Sequence, residues 1–139
     1  MRPDPRRWTI VFGHHAIYGT GAQGDMDFLG RWYWRRYLSR GVDVYLAAHN
    51  HHLEHLRVPG ESCEYVVSGA GGSHYREHVA RGHRFKSTRA QSLFSHKDLG
   101  LAWFHVTAKD LRVEFLDGDG NSLMEFSRSR PAQASDENA

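Results

Sequence analysis

Two short apolar runs, each running into a histidine cluster, bracket one helical stretch. That alternation restricts the fold more than any other feature of this 139-residue chain. "WTIVFG" (8–13) is β-branched and aromatic, ends in glycine, and reads as a buried strand. "HHAIYGTGAQG" (14–24) is a glycine-rich loop, after which Asp25 or Asp27 can cap a helix. In "MDFLGRWYWRRYLSR", Leu29, Tyr33 and Tyr37 recur every fourth residue with Met26 and Trp32 beside them, which predicts a helix burying that stripe. Gly41 is its stop and "VDVYLAA" (42–48) the next strand. Strand, helix, strand at this spacing is a crossover, so the two strands run parallel and end on one edge of the sheet. His14-His15 and the "AAHNHH" cluster (47–52) are therefore expected to be spatial neighbours, although His14 and His49 lie 35 positions apart.

The second half changes character. "LEHLRV" (53–58) and "CEYVVSG" (63–69) read as strands around a Pro59-Gly60 turn. Residues 70–92 are polar and irregular, a loop long enough to shape access to a site. "LAWFHV" (101–106), "LRVEFL" (111–116) and "SLMEFS" (122–127) are strands joined by turn sequences. Leu111, Val113 and Phe115 alternate with Arg112 and Glu114, as in an antiparallel sheet covered on one face. "DGDGNS" has the opening of a calcium loop. However, Ser122 and Arg128 stand where that loop needs glycine and glutamate, so it reads as a hairpin turn. The domain is expected to span 1–128, with 129–139 a disordered polar tail.

Bulk properties exclude several classes. A net charge of +2 with scattered arginines gives no nucleic-acid stripe. No apolar run approaches the roughly 20 residues of a membrane span, and the short run after Arg6 and Arg7 is no export signal. Neither nucleic acid nor membrane is expected as a partner, and no compartment is assigned. The single Cys63 excludes an internal disulfide.

The histidines carry the chemistry. At a strand end, His49 and His51 fall on one side, roughly 6.5–7 Å apart at Cα. That spacing suits two ions about 3.5–4 Å apart, the arrangement of phosphoryl-transfer hydrolases. Imidazole selects zinc, iron, manganese, nickel or copper over magnesium or calcium. One of His14 and His15 joins them as a ligand. His52 can orient a neighbour or lie at the surface, His74 and His78 read as an exposed basic loop, and His96 and His105 as structural. The acids nearby have other positions: Asp25 and Asp27 at a helix start, Asp43 at a strand start, Glu54 in the next strand. A metal pair needs bridging carboxylates, so the chain offers about half of the donors such a site requires.

"VFGHHAIYG", "GVDVYLAAHNHHLEHL" and "YVVSGAGG", in this order, resemble the second half of the calcineurin-like metallophosphoesterases, nearest to the small purple acid phosphatases of the tartrate-resistant type. The closing "GLAWFHVTAKDLRVEFLDGDGNSLMEF" is similar to that family's final hairpin, so the resemblance covers nearly all of 8–128. It implies an α/β fold in α+β layers: the C-terminal part of a metallophosphoesterase β-sandwich flanked by helices, with a parallel β-α-β unit followed by antiparallel hairpins.

By the same resemblance, His14 and His49 match ligands of a divalent metal and His51 a ligand of the other metal, iron paired with zinc, manganese or iron. Gly69 and Gly71 fall in the segment near the site, and His15, His52 and Gly69 are candidates to orient a ligand or touch the substrate. Gln23 stands where the tartrate-resistant type has an acid/base histidine; glutamine can bind a phosphate oxygen but cannot exchange a proton near neutrality. Ala48 replaces the glycine before His-x-His, and Ala16 the proline of the Gly-His-x-Pro pattern.

The family's Asp-x-His motif, its bridging Gly-Asp motif with the nearby tyrosine that colours the purple enzymes, and its Asn-His-Glu/Asp motif have no match here. The expected protein is thus a fragment, or truncated product, of a binuclear phosphoesterase. It would hydrolyse phosphate monoesters, small molecules or phosphoproteins, by metal-hydroxide attack, with little activity alone and with the missing N-terminal half as a partner. The alternative is a non-catalytic module holding a single zinc through His14, His49 and His51. A cupin-like barrel, which also uses His-x-His, is disfavoured by the helix between parallel strands.

Overall fold

The computed structural model describes residues 7–21, 24–38, 40–72 and 89–130. Its elements are β1 (Ile10–Phe12), α1 (Phe28–Leu38), β2 (Val44–Ala47), β3 (Leu53–Arg57), β4 (Glu64–Ser68), β5 (Gln91–His96), β6 (Gly100–Val106), β7 (Asp110–Asp117) and β8 (Ser122–Ser129). Five strands form a mixed sheet in the order β1-β2-β4-β3-β5, and three form an antiparallel sheet in the order β6-β7-β8. The crossover is as expected: β1 and β2 pair in parallel, with Ile10 beside Val44 and Phe12 beside Leu46. β3 and β4 form the antiparallel hairpin, turning at Gly60, whose φ of 81° suits a residue without Cβ.

The central strands β2, β3 and β4 of the larger sheet are buried on both faces. One face packs with α1 around Ile17, Tyr18, Leu38, Tyr45, Leu56 and Tyr65. The other meets the smaller sheet around Val44, Leu53, Val66, Leu111, Val113 and Phe115. β7 shows the alternation read from sequence, with Leu111, Val113 and Phe115 all wholly buried. The "DGDGNS" turn is a hairpin held by Asp117, whose Oδ1 accepts from the backbone of Asp119 and Asn121 at 3.0 and 2.8 Å. No described helix is long and apolar enough to cross a membrane.

Three features depart from the sequence reading. α1 turns the other way: Leu29, Tyr33 and Tyr37 are 73, 52 and 45% exposed, while Leu38 is 1% exposed and Trp34 packs 6.2 Å from the Tyr45 ring. The helix carries two apolar stripes, and four-residue spacing cannot choose between them. Anchoring chooses: the Val42 amide bonds Leu38 O just past the helix, and Met26 tucks under Gly30 before it.

β5 was hidden because "QSLFSH" is mostly exposed; its order comes from antiparallel pairing with β3, as an edge strand. At the other end, β8 runs through Ser129, and Arg130 pairs with Asp43 at 2.8 Å, past the expected start of the tail. Residues 131–139 lie outside the described residues.

Between β3 and β4, the buried His55 and Glu64 join the exposed Arg57. His55 Nε2 donates to Glu64 Oε2 at 2.9 Å, Arg57 Nη2 to Glu64 Oε1 at 2.7 Å, and the His55 ring stacks 4.0 Å from Phe126 of the second sheet. Burial pushes the Glu64 carboxyl up, but the hydrogen bonds from His55 and Arg57 outweigh it, so it titrates below the ordinary range. A carboxyl held low in the fold adds stability above its unfolded value of about 4.5 and loses it as pH falls through the folded value. Urea unfolding between pH 6 and 3 should therefore show an acid loss that is smaller in Glu64→Gln. An equally steep loss in that variant would remove the assignment.

Candidate metal centre

The histidines sit where the crossover ends. His14 and His15 follow β1, and His49, Asn50 and His51 follow β2. Backbone pairing continues past the strands: the Gly13 amide bonds Leu46 O at 2.9 Å and the Ala48 amide bonds His14 O at 3.2 Å. His14 Nε2 and His49 Nδ1 consequently meet at 3.0 Å. The His15 ring lies 4.3 Å from that of His49 and 5.0 Å from that of His14. The expected neighbourhood of the two clusters is present, and it includes both His14 and His15.

His49 is held in an unusual backbone state, with φ at 39°, the left-handed region that non-glycine residues seldom occupy. The surrounding loop enforces it. Gly69, after β4, lies so close beneath that a Cβ there would fall 2.0 Å from Asn50 O and 3.1 Å from Ala48 O. The Gly69 amide bonds His52 O at 3.1 Å, and Asn50 is buried with its Nδ2 directed at Gly24 O, 3.4 Å away. Gly69 thus serves the site by letting the His49 loop lie down on the sheet.

Burial first, then the neighbouring His15, His14 and His51, lower the pKa of His49. Both effects favour the neutral imidazole, the form that binds metals. His51 is exposed, and its influence on His49 is electrostatic.

His52 is not a surface residue. It is wholly buried, with Nε2 2.9 Å from Glu54 Oε2. Glu54 also accepts from the Thr20 amide at 3.0 Å and the Thr20 hydroxyl at 2.5 Å. Burial raises the Glu54 carboxyl, but the His52 and Thr20 bonds outweigh it and hold it ionised. The pair ties the loop after His15 to β3. Sequence spacing missed it because two residues apart on a strand implies only a shared side, not a partner.

A cavity of about 320 Å³ opens beside His15 and His49 and is also lined by Ala16, Gly24, Asp25, Met26 and Asp27. Its carboxylates were legible only as helix-start residues. Asp27 caps α1, accepting from the Gly30 amide at 2.8 Å. Asp25 accepts from the Gly19 amide at 2.7 Å and pairs with Arg31 at 2.9 Å. Both are already engaged. Gln23, and with it His74 and His78, lie outside the described residues.

The chemistry of the donors fits part of a metal centre. Adjacent neutral imidazoles suit zinc, iron or manganese. Among the described residues, however, no three His, Cys, Asp or Glu side chains are placed to hold one ion. The set does not by itself fit a pair of metals.

No protein-family model matches the chain. Among sequence relatives, it is 28% identical over 130 residues to purple acid phosphatase 4 of Arabidopsis thaliana, covering 94% of this chain and 37% of that protein. It is 26% identical over 132 residues to tartrate-resistant acid phosphatase type 5 of Homo sapiens, covering 91% and 39%. The chain therefore spans under two fifths of the length of these relatives. Among solved structures, purple acid phosphatase PPD1 from yellow lupin seeds superposes with a TM-score of 0.60 at 20% identity, over 88% of this chain and 25% of that one. GAP50, the anchor in the inner membrane complex of Plasmodium, superposes at 0.66 and 17% identity, over 91% and 38%. The homologues of this chain are purple acid phosphatases, the tartrate-resistant type 5 among them, and its fold is that of a metallophosphoesterase.

Proposed function

We propose that this chain supplies the histidine side of a binuclear phosphoesterase centre that hydrolyses phosphate monoesters, carried by small molecules or phosphoproteins. The observation that carries the reading is the 3.0 Å approach of His14 to His49 at the carboxyl edge of two parallel strands, where α/β sheets bind ligands. The kinship with purple acid phosphatases supports the reaction class.

Each residue has a stated task. His14 and His49 present ring nitrogens toward one another, His51 offers a third from the exposed side of the loop, and Gly69 sets the loop height. Metal ions in such a centre polarise the phosphoryl oxygens and activate water. The carboxylates that would hold two ions are not free here: Glu54, Asp25 and Asp27 are all hydrogen-bonded within the fold. In this reading they come from polypeptide beyond the described residues, and the chain alone is weak or inactive.

A second reading, a module holding one zinc without catalysis, is favoured by that same donor shortage. The fold is also shared with a protein described as an anchor, which supports this second reading.

Metal content and hydrolysis of p-nitrophenyl phosphate separate the two readings, measured on this chain alone and joined to the polypeptide encoded immediately upstream. The expected result is at most one ion and near-background hydrolysis alone, with two ions and clear turnover when joined. A joined form that keeps a single ion and stays inert would sink the phosphoesterase reading.

Gly69→Ala tests the loop. Since the Cβ would displace the Asn50 carbonyl, zinc affinity should fall about 10–100-fold, as for other losses of support around a ligand. Competition with a chromophoric chelator reads this out, while circular dichroism confirms the fold. Unchanged affinity would mean that the loop does not set the ligand geometry.

A further inference from the structure

The cavity that adjoins the histidines has walls whose chemistry selects what can be attached to a phosphate. It opens against His15 and His49, and its other walls carry Ala16, Met26, Asp25 and Asp27. No lysine, arginine, tryptophan, tyrosine or phenylalanine lines it. At about 320 Å³ it lies at the small end of ligand pockets, so it suits a compact group rather than a length of chain. A phosphate held at the histidines would project its alcohol into adjoining space, and this cavity is space of that kind.

The two carboxylates are not equivalent. Asp25 serves the fold with both oxygens: Oδ1 accepts from the Gly19 amide, and Oδ2 meets Arg31, which balances its charge. Asp27 is exposed and is engaged through Oδ1, which accepts from the Gly30 amide. Among the described residues, Asp27 Oδ2 has no hydrogen-bond donor. Nor does Asp27 belong to any group of three donors there that could hold an ion. What that oxygen can take is a hydrogen-bonding cation.

The walls also discriminate among cations. A quaternary ammonium is recognised by an aromatic cage, and no such cage lines this cavity. A primary ammonium brings its own N–H donors and needs only an acceptor such as Asp27. Ala16 and Met26 offer apolar contact to a short alkyl stem. A cavity walled by carboxylate and without a lysine or arginine repels a leaving group that carries negative charge.

Resting on the phosphoesterase reading above, we infer that the substrate is a small phosphomonoester whose alcohol carries a primary ammonium, an amino alcohol phosphate, and that Asp27 recognises the ammonium. The phosphate sits at the histidines, the stem lies along Ala16 and Met26, and the ammonium donates to Asp27 Oδ2. Hydrolysis breaks the bond between phosphorus and the alcohol oxygen. Water supplies the hydroxyl that stays on phosphorus and the proton that leaves with the amino alcohol, so no other reactant is required.

The first arm of the test needs neither metal nor turnover. Ethanolamine is titrated into the 139-residue chain, with NMR read at the Met26 methyl and the Gly30 amide. Ethylene glycol at the same concentrations is the uncharged control. The expected result is a saturable shift with ethanolamine and none with ethylene glycol. Asp27→Asn keeps a residue able to cap α1, and it should weaken ethanolamine binding about 3–10-fold. Asp119→Asn, in the turn between β7 and β8, should leave binding unchanged. The second arm uses this chain joined to the polypeptide encoded immediately upstream. Its kcat/KM should be higher for O-phosphoethanolamine than for glycerol 2-phosphate, and Asp27→Asn should lower that ratio.

No saturable shift at Met26, an equal response to ethylene glycol, or binding lost in Asp119→Asn but not in Asp27→Asn would each overturn the inference. So would a joined form that prefers glycerol 2-phosphate, phosphocholine or a lysine-bearing phosphoserine peptide to O-phosphoethanolamine. The two failures are distinguishable. Turnover without a preference for the amine removes this inference and leaves the phosphoesterase reading. Ethanolamine bound at Asp27 in a joined form that takes up one ion and stays inert removes that reading, and with it the substrate claim, while the amine site stands.

Discussion

The parallel pairing of β1 with β2 is the interaction on which the rest of the molecule turns. It joins residues 34 positions apart, Ile10 with Val44, and its ladder runs on into the loops through the Gly13–Leu46 and Ala48–His14 bonds. Those two bonds convert a sheet register into a side-chain distance. With them in place, His14 and His49 must meet, and a slip of one residue would turn the clusters to opposite faces. β4, packed on the other side of β2, completes the frame. Its end places Gly69 under the His49 loop and fixes the strained backbone at His49.

The centre is rich in imidazole, the acids near it among the described residues are already engaged, and this asymmetry has a physical basis. Each acid near the histidines stabilises the fold locally. Asp27 caps α1, Asp25 holds the glycine loop and Arg31, and Glu54 sits buried under His52 and Thr20. Releasing any of them for a metal would leave unsatisfied amides or a buried histidine without its partner, a loss of about 1–3 kcal/mol each. The same logic applies at Asp43, which accepts from the Thr9 amide and pairs with Arg130 at the far end of the sheet. Donors for a second ion are therefore more cheaply supplied by another segment than by rearranging this one.

Much of the fold was legible in the sequence, for a definite reason. The crossover, the β3–β4 hairpin and the alternation of Leu111, Val113 and Phe115 are patterns whose period is fixed by backbone geometry. So was the meeting of the histidine clusters, which follows from strand direction alone. What remained hidden depended on neighbours rather than on period. α1 offers two apolar stripes, and the fold buries Trp34 and Leu38 because Met26 and Val42 anchor that side. β5 is ordered by its partner β3 and not by its own exposed residues. His52 looked peripheral because its partner Glu54 appeared only as a strand residue. Asp25 and Asp27 looked like alternative caps, and only the folded loop shows them lining the cavity beside His15 and His49.

The central claim is that the strand-end histidines form the metal-facing side of this fold, and that the buried ones do not. Nitrogen-15 NMR of the imidazoles during zinc titration tests it most directly. His14 and His49 should shift together and saturate at one equivalent, while His52 and His55, locked on Glu54 and Glu64, keep their signals. Shifts at His52 or His55 with His14 and His49 unmoved, or no saturable shift at any histidine, would contradict it.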